Sequence, residues 1–152
     1  MQLTQRAWAL DVIEFCDDGA QGRRLGEWHF GRVLAGRAIQ DVWIVQPRGQ
    51  LGHAAADAPE YYGTTLRIYN SRSGDWHIQY IDPAVQAVLT RTGRRQGDAI
   101  VQLGNGAVGQ AVRWSFDNIA PDGFRWRQWS ADGGATWQLR VEFQARRIGD
   151  TD

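Results

Sequence analysis

Six charged residues lie among alternating apolar residues and are of types that can orient a ligand: Arg37, Asp41, Arg67, Arg113, Arg127 and Glu142. A buried charge must be paired or hydrogen-bonded, because leaving it unpaired costs several kcal/mol. If this set faces an interior, it forms an arginine–carboxylate network that can orient a ligand carboxylate or carbonyl. Strand alternation places Arg37, Asp41 and Trp43 on one face, and we expect Asp41 and Arg67 to point inward. A register shift of one residue would invert each assignment, so outward, solvated side chains stay the alternative.

The aromatic residues are the most unusual feature of the composition, with 8 Trp, 4 Tyr and 5 Phe. Large rings on alternating strands can fill a wide interior or line a cavity. We expect a pocket of aromatic residues with two polar anchors, namely Asp41, Trp43, Arg67, Tyr69, Trp76, Tyr80, Trp114 and Trp126. A packed interior without a pocket is the alternative.

Catalytic motifs are scarce, and no catalytic residue can be named. There is no Gly-x-Ser-x-Gly motif, and Cys16 has no histidine near it in sequence. An enzyme would need an acid–base pair within hydrogen-bond distance, such as Asp41 or Glu142 with His77 or Tyr80. We therefore favour a binding protein over an enzyme.

Cofactor and metal motifs are equally weak. Residues 104–109 read Gly-Asn-Gly-Ala-Val-Gly, but the dinucleotide motif of this spacing requires a helix to follow, and the next residues alternate as a strand. The Asn-Gly pair favours a hairpin turn instead. The histidines, His29, His53 and His77, are not spaced as metal ligands and have no cysteine pair beside them. No cofactor and no metal is predicted.

The positions of these residues depend on an all-β fold with about ten strands. Alternation predicts strands over residues 7–15, 27–34, 37–46, 62–69, 76–81, 85–92, 99–103, 111–116, 124–129 and 137–146. A short helix is the alternative for residues 7–15. Turns and connections are expected over residues 17–24, 47–59, 70–74, 93–97 and 117–122. Short turns between successive strands favour an antiparallel up-and-down barrel of about eight to ten strands, with a sandwich as the alternative.

The final hairpin is the most strongly marked element. Residues 130–137 read Ser-Ala-Asp-Gly-Gly-Ala-Thr-Trp, which matches the Asp-box pattern. We interpret this motif as structural, with Asp132 capping the turn and Trp137 folding back onto the sheet. One good copy in 152 residues is too little for a propeller.

Length and charge bound the class of protein. A chain of 152 residues predicts one domain over residues 1–152, and 17 basic against 17 acidic residues argue against nucleic-acid and anionic-membrane partners. The single Cys16 allows no internal disulfide. The first residues lack the apolar core of a signal peptide, and no apolar run approaches roughly 20 residues. We expect a soluble, cytoplasmic protein.

Four segments carry a resemblance to a known family. They read Gly-Glu-Trp-His-Phe (26–30), Gly-Arg-Ala-Ile-Gln-Asp-Val-Trp (36–43), Gly-Thr-Thr-Leu-Arg-Ile-Tyr (63–69) and Arg-Trp-Ser-Phe (113–116). With Trp76 and the final hairpin, they resemble an uncharacterised bacterial family of lipocalin-like barrels in the calycin group. The resemblance implies an up-and-down barrel with an interior cavity, and it implies no reaction.

The same resemblance makes three further suggestions. Gly26-x-Trp28 is similar to the lipocalin motif, whose tryptophan lies on the first strand and packs under an arginine of the last, here Arg140 or Arg146. Related barrels bind haem through one histidine, for which His77 is the candidate, although an ordinary strand histidine is the favoured reading. Lipocalin-like barrels also include cofactor-free isomerases, decarboxylases and dehydratases.

Three functions therefore stand at this point. The favoured one is binding of a small, mainly apolar or aromatic ligand in an aromatic-lined cavity. The alternatives are a cofactor-free enzyme in the same cavity, and a structural module with a filled interior that forms a homodimer.

Overall fold

Ten antiparallel strands form a closed barrel in the order of the chain. A computed structural model describes residues 6–45, 61–131 and 136–148. The strands are β1 (Arg6–Phe15), β2 (Gln21–Val33), β3 (Ala38–Val45), β4 (Tyr61–Asn70), β5 (Asp75–Asp82), β6 (Ala87–Gln96), β7 (Ala99–Asn105), β8 (Ala111–Ala120), β9 (Gly123–Ala131) and β10 (Trp137–Arg147). Each strand pairs with its neighbours in sequence, and β1 pairs with β10. The predicted antiparallel up-and-down barrel is confirmed, and the sandwich is wrong.

Alternation along each strand divides the residues between an aromatic interior and a polar exterior. On β1, for example, Trp8, Leu10 and Val12 are buried and Asp11 is exposed. These residues form a strand and not the alternative short helix, because pairing with both β2 and β10 satisfies their backbone groups. Closure of the sheet leaves no unpaired edge strand.

Several strands extend further than local sequence indicates. β2 begins at Gln21, inside the polar stretch predicted as a turn, and its pairing with Phe15 continues the ladder of β1. β6 likewise runs to Gln96, through the predicted turn at residues 93–97. β8 reaches Ala120 with a register shift after Asp117, where a connection was expected. In each case, pairing with a neighbouring strand overrides the polar or glycine-rich local sequence.

Four of the six charged residues do not face the interior, so for them the outward alternative holds. Arg37 is exposed in the turn between β2 and β3. Arg113, Arg127 and Glu142 lie on the outer face, because their neighbours Trp114, Trp126 and Phe143 are buried inside.

The outward arginines pack against exposed rings. The Arg113 guanidinium carbon lies 4.3 Å from the ring centre of Trp129 and 4.8 Å from that of Trp137.

Trp137 pairs with Ala131, so the predicted β9–β10 hairpin is confirmed. The predicted Asp132 cap, the predicted loop at residues 47–59 and His53 lie outside the described residues.

Trp28 lies at the centre of the aromatic core. The rings of five residues lie within 6 Å of it, namely Phe30, Phe116, Phe124, Trp126 and Phe143. Gly26 is required beside it, because a Cβ atom there would lie 2.8 Å from the Ile44 carbonyl oxygen.

Two details depart from the lipocalin pattern. Trp28 is on the second strand, and Arg140 donates hydrogen bonds to Ser130 and Asp17.

Candidate ligand-binding site

Among the described residues, two cavities lie within the barrel, one towards each end. The larger, of about 420 Å³, extends to the end that carries the β1–β2 and β7–β8 connections, where Cys16 and Ala107 line it. The smaller, of about 300 Å³, lies at the opposite end, beside Arg6 and Ile119. Arg67 lines both cavities, so its side chain lies between them.

The layer between the cavities is a buried hydrogen-bonded cluster of Asp41, Arg67 and Gln102, which we call the divider. Arg67 donates from Nη1 to Asp41 Oδ2 and from Nε to Gln102 Oε1, the latter at 3.2 Å. All three side chains are buried. The two predicted polar anchors, Asp41 and Arg67, therefore do point inward, but they bind each other.

Aromatic rings form much of the wall of the larger cavity. Trp43 stacks on Tyr61 with ring centres 5.2 Å apart, and Tyr80 meets Trp114 edge-on at 5.6 Å. Trp126 also lines this cavity, and its ring centre is 5.7 Å from that of Trp114. The surface that encloses this cavity is therefore formed mainly by carbon atoms.

A short hydrogen-bonded chain fixes one side of this wall. The Tyr80 hydroxyl donates to Asp82 Oδ2 at 2.8 Å and accepts from Trp43 Nε1 at 3.1 Å. Asp82 Oδ1 accepts from the Ala84 amide at 3.0 Å, at the start of a 3-10 turn, Pro83–Val85. Burial, reinforced by Asp82, raises the pKa of Tyr80 far above its ordinary value, so the phenol stays neutral.

Gly63 leaves room for the hydrogen-bonded side chains of Trp43 and Tyr80. A Cβ atom on Gly63 would lie 2.7 Å from Tyr80 Cε2 and 2.9 Å from both Trp43 Nε1 and Tyr80 Oη. These distances are shorter than carbon contacts in proteins allow, so only glycine fits here without displacing the two rings.

Charged residues line the outer part of the larger cavity. Arg24 donates from Nε to Glu14 Oε1 at 2.7 Å, and its guanidinium carbon lies 5.5 Å from the Tyr61 ring centre. Burial raises the pKa of Tyr61, with Glu14 contributing in the same direction. Arg140 and Arg91 also line the cavity.

The smaller cavity is bounded almost entirely by apolar side chains, among them Trp8, Phe30, Trp76 and Phe116. Tyr69 packs at a tilt against Trp76 with ring centres 5.2 Å apart, but it is 51% exposed and lines neither cavity.

The structure distributes the predicted pocket residues over both cavities. Trp43, Tyr80, Trp114 and Trp126 line the larger, Trp76 lines the smaller, and Arg67 lines both. Asp41 is enclosed behind Arg67, and Tyr69 is at the barrel end.

The acid–base pairs considered from sequence are not assembled. His77 is exposed on the outer face, because Ile78 beside it points inward, and Glu142 also lies outside. The ring of His77, the haem-ligand candidate that the resemblance suggests, does not reach the interior. The hydroxyl of Tyr80, which lines the larger cavity, donates instead to Asp82.

Sequence reasoning missed Arg91 and Asp82. Arg91 lies on β6, in a run of Thr, Arg and Gly that reads as a turn entry. Asp82 precedes Pro83 and directly follows the strand predicted over residues 76–81. A signal for Asp82 was available, because Asp before Pro is favoured as the cap of a short helical turn.

Motifs suggesting other ligands are accounted for by the fold. Residues 104–109 form the β7–β8 hairpin, in which the Gly106 amide donates to the Gln110 carbonyl at 2.7 Å, and strand β8 follows. Within the described ranges, no group of three or more His, Cys, Asp or Glu side chains could hold a metal ion. No helix in the described part of the chain is long and apolar enough to cross a membrane.

No protein-family model and no curated protein matches this sequence. Solved structures do match. One is Rv2717c from M. tuberculosis, with a TM-score of 0.65, 16% sequence identity, and coverage of 93% of this chain and 91% of that chain. At this identity, the likeness establishes a shared barrel fold alone.

Proposed function

We propose that this barrel binds a small, mainly apolar ligand in the larger, aromatic-lined cavity. The observation that carries the proposal is a space of about 420 Å³ whose walls include Trp43, Tyr61, Tyr80, Trp114 and Trp126. This volume lies within the range of cavities that hold small organic molecules, and such cavities combine apolar walls with few polar groups.

The polar groups of the wall support the same reading. The Tyr80 hydroxyl and the Trp43 indole N–H are already bonded to each other, and Arg24 is paired with Glu14. A ligand that depended on many hydrogen bonds would have to break these pairs. An apolar ligand would leave them intact and gain contact with the rings.

Titration of tryptophan fluorescence tests the proposal. We expect 1-naphthalenemethanol and decanol to change the emission saturably, since Trp43 and Trp114 line the cavity. Ala87→Phe, which places a ring in the cavity lining, should weaken binding by roughly tenfold or more. Val88→Phe is the matched control, because the next residue on β6 is exposed.

Two results would count against the cavity as a binding site. One is the absence of a saturable response to either ligand. The other is an equal effect of Ala87→Phe and Val88→Phe, since only the first residue lines the cavity.

The hydrogen bond from the Tyr80 hydroxyl to Asp82 Oδ2, at 2.8 Å, is the observation that favours an enzyme as the second candidate, because a phenol and a carboxyl group can both take part in proton transfer. Effective acid–base catalysts have pKa values near the working pH. Here burial drives the pKa of Tyr80 upward, away from neutrality. The Tyr80 hydroxyl also already makes hydrogen bonds to Asp82 and Trp43. We therefore favour binding.

A further inference from the structure

We infer that the ligand of the larger cavity carries one carboxylate group and that Arg91 holds it. This inference rests on the proposed function and adds the chemical class of the ligand. It begins from Arg91, a charged side chain that is only 3% exposed and lines the cavity.

The hydrogen bonds that Arg91 makes to described residues bring no counter-charge to its guanidinium group. Nη1 donates to the carbonyl oxygens of Thr90 and Asn105, at 2.9 Å and 2.5 Å. Nε has no hydrogen-bond partner among the described residues. Both acceptors are neutral, so the bonds place the guanidinium without neutralising it.

The other arginines that line the larger cavity are each bonded to a carboxylate. Arg24 bonds Glu14, Arg67 bonds Asp41, and Arg140 bonds Asp17. For Arg91, no carboxylate oxygen of a described residue lies within ion-pair distance. Burial accordingly lowers the pKa of Arg91, which is the direction expected for a cation that has lost water and gained no anion.

The surroundings hold Arg91 in this position. Its guanidinium carbon lies 4.6 Å from the ring centre of Trp114, which faces the cavity. A Cβ atom on Gly104 would lie 2.7 Å from Arg91 Cδ and 2.8 Å from Nη1, so a glycine opposite on β7 leaves room for the side chain. The cation is therefore placed against a ring that an apolar ligand would also contact.

One uncompensated cation beside apolar walls matches a ligand with a single negative charge on an apolar body. A carboxylate carries one charge and can accept two parallel hydrogen bonds from a guanidinium. A phosphate monoester carries about −1.5 to −2 at neutral pH, which would leave excess negative charge in the cavity. The carboxylate is thus the better match.

The test compares ligands that share a body and differ in charge. The pairs are 1-naphthoate with 1-naphthalenemethanol, and decanoate with decanol, and 1-naphthyl phosphate serves as the alternative anion. Affinities are measured by fluorescence titration for the wild type, Arg91→Lys and Arg91→Met. Arg94→Met is the control, because Arg94 is on the same strand and exposed.

We expect the wild type to bind each carboxylate more tightly than its alcohol by roughly ten- to hundredfold, the value of a charge-assisted hydrogen bond. Arg91→Met should abolish this preference while the alcohol still binds, and Arg91→Lys should keep part of it. Arg94→Met should behave as the wild type. The phosphate should bind more weakly than the carboxylate.

Equal binding of acid and alcohol by the wild type would overturn the inference and leave the proposed function standing. A preference that survives in Arg91→Met would also overturn it, since another cation would then hold the anion. If Arg91→Met does not fold, the wild-type comparison and Arg91→Lys decide the question. A lysine cannot donate two parallel hydrogen bonds as a guanidinium does, so an undiminished preference for the acid in Arg91→Lys would count against bidentate binding. Failure of all these ligands to bind would refute the proposed function itself.

Discussion

Replacing Arg67 by methionine removes the cation that bonds Asp41 in the divider. The side chains of this pair are 10% and 0% exposed, so the carboxylate would remain buried without its partner. Removing one member of a buried ion pair costs about 3–5 kcal/mol, because the remaining charge is uncompensated. Against a total stability of about 5–15 kcal/mol, this loss is large. For a chain of this size, it corresponds to a fall in Tm of roughly 6–20 °C.

Urea unfolding followed by tryptophan fluorescence measures this effect. We expect Arg67→Met to lower the midpoint strongly, and the double variant Asp41→Asn with Arg67→Met to be less destabilised than the sum of the single variants. Arg94→Met is the control, because Arg94 also forms an ion pair, with Asp75, but its side chain is 64% exposed. Surface pairs of this kind contribute little to stability.

The reasoning about the divider would be refuted by either of two results. In the first, Arg67→Met unfolds at the same urea concentration as Arg94→Met. In the second, the effects at Asp41 and Arg67 add without coupling, which would mean that the two side chains do not interact in solution.

Three further predictions concern the cavity wall and the outer face. Gly63→Ala should destabilise by about 1–3 kcal/mol in urea unfolding, because its Cβ would overlap the Tyr80 ring, whereas Gly22→Ala, with nothing nearer than 4.0 Å, should not. Tyr80→Phe should cost about 1–3 kcal/mol, since it removes the hydroxyl donor to the buried Asp82. Because the pKa of Tyr80 is raised, its stabilising contribution is present below about pH 10 and is lost as the pH rises further, and Tyr80→Phe should reduce that alkaline loss. A hydrogen bond from Arg125 lowers the pKa of Asp117. The contribution of Asp117 to the free energy of unfolding is therefore present above about pH 4 and is lost as the pH falls below that. Asp117→Asn should flatten this acid dependence, and an unchanged slope in either pH series would contradict the assignment.

Much of the fold could be predicted because the strand period is written locally. Alternation of large apolar and polar residues marks strands such as β1 and β9, and short polar turns between them favour antiparallel neighbours. The positions of the strand ends were predicted less accurately. Gln21 and Gln96 belong to strands only because a partner strand is present beside them, and no local property of those residues indicates this.

The candidate site was less accessible to sequence reasoning. The aromatic residues were identifiable by type, and Trp43, Tyr80, Trp114 and Trp126 do line one cavity. Asp41 and Arg67 were expected to point inward and do so. The facing of the other charged residues was not identifiable, because strand alternation assigns a face only relative to neighbours. Arg91, which lies inside, and Arg113, which lies outside, have equally ordinary settings in the sequence.

The sequence by itself determined an all-β chain with turns at short intervals and enough large rings to fill or line a barrel. Closure through β1 and β10, the division of the interior by Asp41 and Arg67, and the absence of a carboxylate beside Arg91 among the described residues were decided only by the tertiary structure. The physical reason is that these features depend on pairs far apart in the chain. A hydrogen bond or ion pair between distant strands leaves no local pattern, since each partner is chosen by register and not by its sequence neighbours.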